Sequence, residues 1–232
     1  MEHKKRNAML LLIMAMITFG VLGLEFGVLF ISTLIDGRSL SQVGSWPIHW
    51  YGAISHWILT MMIWSIGIRL IYKWAKKKKD LLQYIDFTFS KKTIYLMGAA
   101  ILIAIGSAFI QHLIWDSSIP QLANEFRGFK SMYPNHAFIV TLFQVIYYGF
   151  EMVLVFMMIV LFQAGFEIVF KNKKIPYGSF GLMLTWGLIH FISNPQGAFI
   201  VTIWALVPGL LYIYGGKRFW PVYALLILGF IF

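Results

Sequence analysis

The apolar run from Ala137 to Gly165 contains a single charged residue, Glu151. At about 1.5 Å of rise per residue, a helix over this run is long enough to cross the roughly 30 Å hydrocarbon core of a bilayer. A run of this length and apolarity predicts a membrane-spanning helix, and the buried position of one carboxylate within it predicts a functional site.

The composition of the whole chain points to the same class of protein. Of its 232 residues, 59% are hydrophobic and only 12% are charged, and the mean hydropathy is +0.76. Such a composition excludes an ordinary soluble domain. Cysteine is absent, so disulfides, thiol catalysis and thiolate metal sites are excluded as well.

Seven apolar stretches are candidates for membrane-spanning helices. We therefore predict an all-α, polytopic helical membrane protein that forms a single integral membrane domain over residues 1–232. The predicted spans are 8–35, 48–72, 93–115, 137–167, 177–194, 197–215 and 219–232. Pro208 and Gly209 interrupt the sixth of these spans.

The basic residues predict how the chain is oriented. If the spans alternate in direction, all but three of the 19 Lys and Arg residues fall on one side, and the exceptions are Arg38, Arg127 and Lys130. Because positive charge collects in cytoplasmic loops, we expect the N-terminus inside and the C-terminus outside. The net charge of +10 then reflects topology and contact with the lipid bilayer, so we expect no nucleic acid partner. Lys-rich inner loops are compatible with the bacterial cytoplasmic membrane.

Glu151 has a candidate partner on the next predicted helix. The fourth and fifth spans form a hairpin around the turn Lys171–Pro176, and His190 lies at the depth of a position one helical turn from Glu151, an axial offset of about 6 Å. A buried carboxylate beside an imidazole can activate water for hydrolysis, with Glu151 as the general base and His190 as its orienting partner. The two residues are our candidate catalytic residues.

Each of these residues also has a purely structural interpretation. His190 and Glu151 can be hydrogen-bonded packing residues, and Asn194, four residues after His190, can equally be a cap or turn residue before Pro195. Gln144 lies two turns before Glu151 and on about the same face. The remaining histidines show no metal-ligand spacing, so we expect neither a metal nor a cofactor.

Around His190 the sequence resembles a known family. The segment Trp186–His190, the apolar helix that follows it, and the sequence Gly-Gly-Lys-Arg-Phe-Trp-Pro at 215–221 are similar to the carboxyl-terminal half of the CAAX protease and bacteriocin-processing (CPBP, Abi) family. The resemblance covers residues 137–232. It implies a multi-span intramembrane glutamate-dependent endopeptidase that cleaves a peptide or a membrane-anchored protein, with Glu151 and the second-motif His190 activating water.

The chain departs from this family in its first and third motifs. The family's first motif is a Glu-Glu pair followed by an arginine, of which only Glu151 is present, with Phe150, Met152, Val155 and Phe156 at the other candidate positions. The third motif, a histidine with Asn or Asp four residues on, falls at Leu226 and Phe230. Gln144, Asn194, His56 and His112 are polar residues that could act in their place, and the sequence assigns none of them.

Two other functions stay open at this point. The first is a catalytically inactive relative that binds a membrane partner as a regulatory or bacteriocin-immunity protein. The second is a transporter in which Glu25, Glu151 and Glu167 form a proton path. For Glu25 and Glu167 there are simpler expectations: Gly23 and Gly27 allow close helix packing beside Glu25, and Lys171 forms a helix-surface ion pair with Glu167.

Overall fold

The computed structural model describes residues 2–77, 84–115, 121–193 and 195–231, and within these ranges every regular element is a helix. The helices are α1 (Glu2–Gly23), α2 (Glu25–Ile35), α3 (Trp50–Lys77), α4 (Lys91–Trp115), α5 (Gln121–Met132), α6 (Ala137–Phe170), α7 (Tyr177–Leu182), α8 (Leu188–Ser193), α9 (Pro195–Trp204), α10 (Leu206–Tyr214) and α11 (Phe219–Ile231). A short 3₁₀ helix covers Leu40–Gln42, and a single wider π turn, Met183–Gly187, joins α7 to α8.

Among the described residues, four helical stretches are long and apolar enough to cross a membrane: Lys5–Ile35, Trp50–Lys77, Lys91–Ile110 and Ala137–Phe170. They coincide with the first four predicted spans, and the all-helical fold is confirmed. Residues 177–193 and 195–231 form shorter helices in place of long continuous ones. One break falls at Ala205, so that Pro208 lies in the first turn of α10, where its missing N–H would have had no helical partner.

Helix α6 forms the centre of the bundle. In this helix 67% of the apolar stretch is buried, against 22–33% in the other three long helices. It packs against α1, α3, α5, α7 and α11. A helix that is apolar on all sides can be covered by other helices or by lipid, and α6 is the long helix that other helices cover most.

The connecting segments collect at two ends of the bundle. At one end the backbone of Asp86 pairs with Lys217 and Phe219 at 2.9 Å each, and the Gln163 side chain bonds the Ile175 carbonyl at 3.0 Å. We call this the basic end, because it also carries the turn Lys171–Pro176. At the other end the Tyr133 hydroxyl donates to the Pro47 carbonyl.

The structure overturns two expectations about α1, α2 and α6. A Cβ added to Gly23 or Gly27 would have no atom within 4 Å, so these glycines do not mediate close packing. Instead α1 is approached by glycines of its neighbours, since a Cβ on Gly67 would lie 2.4 Å from Val21 and one on Gly165 2.8 Å from Leu12.

The second error concerns Glu167. Its carboxylate pairs with Lys217, at 2.9 and 2.8 Å, and not with Lys171. Lys171 ends α6 in a left-handed conformation, with φ of 55°, so it does not continue the helical surface on which an i,i+4 pair would form.

Candidate functional site

Glu151 lies midway along α6 and is held by a neutral donor from the following helical segment. Its side chain is buried, with 9% of the residue exposed. The indole Nε1 of Trp186 donates to Glu151 Oε1 at 3.1 Å. Trp186 is itself buried and lies in the π turn Met183–Gly187, a local geometry that often occurs at functional sites.

His190 has a defined tautomer. Its Nδ1 lies 2.7 Å from the carbonyl oxygen of Trp186, one turn earlier. Because a carbonyl can only accept, Nδ1 must carry the proton, and in the neutral ring the lone pair is then on Nε2. The half-buried imidazole also packs edge-on against the Trp186 indole, with ring centroids 4.5 Å apart.

Both predicted catalytic residues therefore contact Trp186. Within the described residues, Glu151 and His190 form no direct hydrogen bond or ion pair; the indole N–H occupies one carboxylate oxygen, and the indole ring borders the imidazole. The hairpin geometry predicted from the sequence brings the two residues to the same tryptophan.

A second carboxylate lies near Glu151. The Tyr147 hydroxyl donates to Glu25 Oε1 at 2.6 Å, and the same oxygen is 3.2 Å from His56 Nε2. Tyr147 is one turn before Glu151, so it holds Glu25 on about the same face of α6 as Glu151. Helices α2, α3 and α6 thus contribute to one polar cluster in the bundle.

Sequence reasoning named Glu25 and His56 without connecting them, and it missed Tyr147. Glu25 and Tyr147 are separated by 122 residues in the sequence, and no periodicity relates residues on helices so far apart. The available signal was the spacing of Tyr147 and Glu151, which places two polar groups on one face of an otherwise apolar helix.

A chain of hydrogen bonds extends the site toward α5. Gln144 Nε2 donates to the Tyr148 hydroxyl, and this hydroxyl donates to Glu125 Oε1, each at 2.8 Å. Gln144 Oε1 and Glu125 Oε2 are buried and have no hydrogen-bond partner among the described residues. Burial raises the pKa of the Glu125 carboxyl, although hydrogen bonds from Gln121 and Tyr148 oppose the shift. Gln144 is therefore part of the hydrogen-bond chain through Tyr148 to Glu125.

The positions that the family resemblance assigns to a third motif lie beside the site and are apolar. The Phe230 ring is 4.8 Å from Tyr148 and 6.1 Å from Trp186, centroid to centroid. Leu226 is fully buried. The Phe230 ring thus stands beside Tyr148 and Trp186 at the position where the family resemblance expects an Asn or Asp.

The remaining candidates add little to the site. Asn194 lies outside the described residues. His112 is close to the end of α4, in its last turn. In the parts of the chain that the structure describes, no group of three or more His, Asp or Glu side chains is arranged to hold a metal ion.

Together these features define, over the described residues, an all-helical protein with four helices able to cross a membrane, and with a buried carboxylate on α6 whose hydrogen-bond donor, Trp186, lies in the π turn and also contacts His190 of α8. No family model, curated protein or solved structure matches the chain. The functional conclusion therefore depends on the residues of the site.

Proposed function

We propose that this protein is a multi-pass membrane endopeptidase of the CAAX protease and bacteriocin-processing type. It would cross the membrane seven times, with its N-terminus and its basic end in the cytoplasm of a bacterial cell. One observation supports the proposal. Glu151 is a buried carboxylate without a cationic partner among the described residues, and its hydrogen-bond donor, Trp186, also accepts a hydrogen bond from His190 Nδ1, which leaves the Nε2 lone pair of the imidazole available.

The proposed reaction is hydrolysis of a peptide bond in a peptide or a membrane-anchored protein. Trp186 holds Oε1 of Glu151, which leaves Oε2 to take a proton from water. The resulting hydroxide adds to the carbonyl carbon of the substrate, while His190 Nε2 accepts a hydrogen bond from the same water and orients it. The C–N bond then breaks, and Glu151 returns its proton to the leaving amine. No cofactor or metal is needed.

The direct test compares Glu151→Gln and His190→Ala with wild type in cells. We expect each substitution to reduce processing of membrane peptides by at least about 10²-fold, the usual contribution of a positioned general base, with the protein still present in the membrane. Processing is followed by mass spectrometry of peptides from the membrane fraction. The control is Glu167→Gln, the same change at another buried position of α6; because it removes the partner of Lys217, processing is compared at equal amounts of protein in the membrane.

The outcome that would overturn the proposal is specific. If Glu151→Gln processes the same peptides at the wild-type rate, with wild-type abundance, the carboxylate is not the general base. A reduction of the same size in Glu167→Gln would show that the effect arises from the loss of any buried carboxylate in α6.

A second function is favoured by the apolar residues at the third-motif positions. Phe230 and Leu226 provide no proton donor or acceptor where the family resemblance expects two, and losing one oxyanion-stabilising donor typically reduces the rate by about 10²–10³. The alternative is thus a catalytically inactive relative that binds a membrane partner, such as a sensor kinase, a transporter or a bacteriocin peptide. Under this alternative, Glu151→Gln and His190→Ala leave the cellular phenotype unchanged.

A further inference from the structure

A groove away from Glu151 opens on the surface of the bundle between α1, α6 and α7. Its volume is about 350 Å³, and its walls include Met16 from α1, Phe162, Phe166 and Phe170 from α6, and Phe180 from α7. We call it the aromatic groove. Its lining is almost entirely apolar and offers water almost no hydrogen bonds. The occupant that fits such a lining is therefore an apolar chain.

The aromatic groove follows one face of α6 toward the basic end. Phe162, Phe166 and Phe170 recur every four residues, with neighbouring ring centroids 6.4 and 5.9 Å apart, and Tyr177 stacks on Phe170 at 5.4 Å. The eight helical steps from Phe162 to Phe170 cover about 12 Å of helix. This depth is close to half of the roughly 30 Å hydrocarbon core, which is the thickness of one leaflet.

A glycine brings the two walls together. A Cβ on Gly181 would lie 2.2 Å from the Phe162 ring, so only glycine lets α7 approach α6 here. Thr185, which also lies in the lining of the aromatic groove, donates to the Gly181 carbonyl four residues earlier at 2.7 Å. Since the lining offers almost no polar group, a peptide backbone would lose its hydrogen bonds in the aromatic groove, whereas an acyl chain has none to lose.

Uncompensated positive charge lies at the mouth of the aromatic groove. The turn Lys171–Pro176 connects Phe170 directly to Tyr177, and Lys171, Lys173 and Lys174 are exposed. None of these lysines forms an ion pair within the described residues. Two other cations of the basic end are paired, Lys217 with Glu167 and Arg218 with Asp86.

The start of α1 adds to this charge. A Cβ on Gly165 would lie 3.4 Å from the Ala8 carbonyl oxygen, so the first turns of α1 run beside the last turns of α6. Lys5 and Arg6, which precede Ala8, are exposed at the same end of the bundle.

We propose that the aromatic groove binds one acyl chain of an anionic phospholipid, whose phosphate lies at Lys171, Lys173 and Lys174. The apolar length of the aromatic groove matches a single leaflet, and the exposed lysines supply the opposite charge at the depth of the headgroup. With the orientation proposed above, the lipid is bound on the cytoplasmic side of the membrane. This inference does not depend on the chemistry of Glu151.

The experiment is native mass spectrometry of the full-length purified protein with phosphatidylglycerol and, separately, phosphatidylcholine. We expect one phosphatidylglycerol to be retained at least about tenfold more strongly than phosphatidylcholine, because each lysine near the membrane surface adds to the attraction for an anionic headgroup. Lys171→Gln/Lys173→Gln/Lys174→Gln should remove this preference. The control triple variant, Lys73→Gln/Lys76→Gln/Lys77→Gln, removes the same charge from the end of α3 and should retain it.

A second variant fills the aromatic groove without changing charge. Leu184 lies in its lining and is 69% exposed, so Leu184→Trp places an indole there; Leu102→Trp, at a position on α4 that is 72% exposed, is the control. We expect only Leu184→Trp to reduce phosphatidylglycerol retention about tenfold. Equal retention of the two lipids by wild type, equal losses in the control variants, or full competition by inorganic phosphate would each overturn the proposal.

Discussion

Two buried glutamates on the same helix, Glu167 and Glu151, have opposite surroundings. Glu167 accepts hydrogen bonds from the Lys217 ammonium and from Gln163, at 2.8–2.9 Å. Glu151 accepts one hydrogen bond from the neutral Trp186 indole at 3.1 Å. A cation compensates the charge of Glu167, and no described cation does so for Glu151.

This difference separates a structural carboxylate from a reactive one. A buried ion pair that is fully bonded fixes both partners, and breaking it leaves a charge without compensation. A carboxylate held by a neutral donor can gain or lose a proton without disrupting a pair, which general base catalysis requires. The comparison predicts that substitutions around Glu167 affect stability most, and that substitutions of Glu151 affect activity most.

The largest loss of stability is expected for Lys217→Met. This change keeps most of the apolar stem and removes the cation, so that Glu167, whose side chain is only 2% exposed, remains as an unpaired buried charge. We expect the free energy of unfolding to fall by about 3–5 kcal/mol. Unfolding by SDS in mixed micelles, followed by circular dichroism, measures the change.

The double variant Lys217→Met/Glu167→Gln tests the cause of this loss. With the charge of Glu167 removed as well, much of the stability should return, because the two residues act as one pair. If the double variant is as unstable as Lys217→Met alone, the loss comes from packing of the lysine stem, and the comparison between the two glutamates fails.

A smaller loss is expected for Trp186→Phe. The phenyl ring retains much of the packing against His190 and Phe230, but the donor to Glu151 is lost. An unsatisfied buried acceptor costs about 1–3 kcal/mol, and the same SDS titration would detect it. A stability equal to wild type would mean that another donor, such as water, replaces the indole.

A still smaller effect on stability is expected for Glu151→Gln. The amide oxygen of glutamine can accept the Trp186 hydrogen bond, and no cation is left unpaired. We expect the free energy of unfolding to change by less than about 1 kcal/mol, the range typical of a single neutral hydrogen bond. A loss as large as that of Lys217→Met would place Glu151 with the structural carboxylates.

The sequence predicts the helices far better than their contacts. Uninterrupted apolar length is sufficient to predict the four long helices, because a lipid-facing backbone must satisfy its hydrogen bonds within the helix. The basic, proline-containing interruption of that apolar sequence predicts the turn at Lys171–Pro176. The position of Glu151 inside an apolar run also identifies it as buried. These properties are local, and they do not require knowledge of which helices are neighbours.

The contacts that depend on helix neighbours could not be predicted. Lys217 reaches Glu167 across 50 residues, and Glu25 reaches Tyr147 across 122. Helical periodicity indicates which residues share a face, but it does not indicate which helix that face meets. The prediction for Gly23 and Gly27 failed for the same reason, since spacing that permits close packing does not by itself bring a partner helix to those residues.

The smallest effect is expected at Glu125, a third carboxylate, which lies outside the long helices and accepts a hydrogen bond from neutral Tyr148. Burial raises its pKa above the ordinary value of 4.5, so the folded protein holds a proton there that the unfolded chain releases. Stability therefore falls as pH rises from about 4.5 to the raised pKa and is constant above it. Glu125→Gln should remove this slope and be slightly more stable at neutral pH in SDS titrations at several pH values.

Asp86→Asn is the opposite control, because hydrogen bonds from Thr88 lower the pKa of Asp86, and the contribution of Asp86 to stability is lost as pH falls. If Glu125→Gln keeps the wild-type pH dependence of stability, another group produces that dependence. A buried carboxylate with only neutral donors such as Tyr148 would then not titrate as the comparison with Glu167 requires.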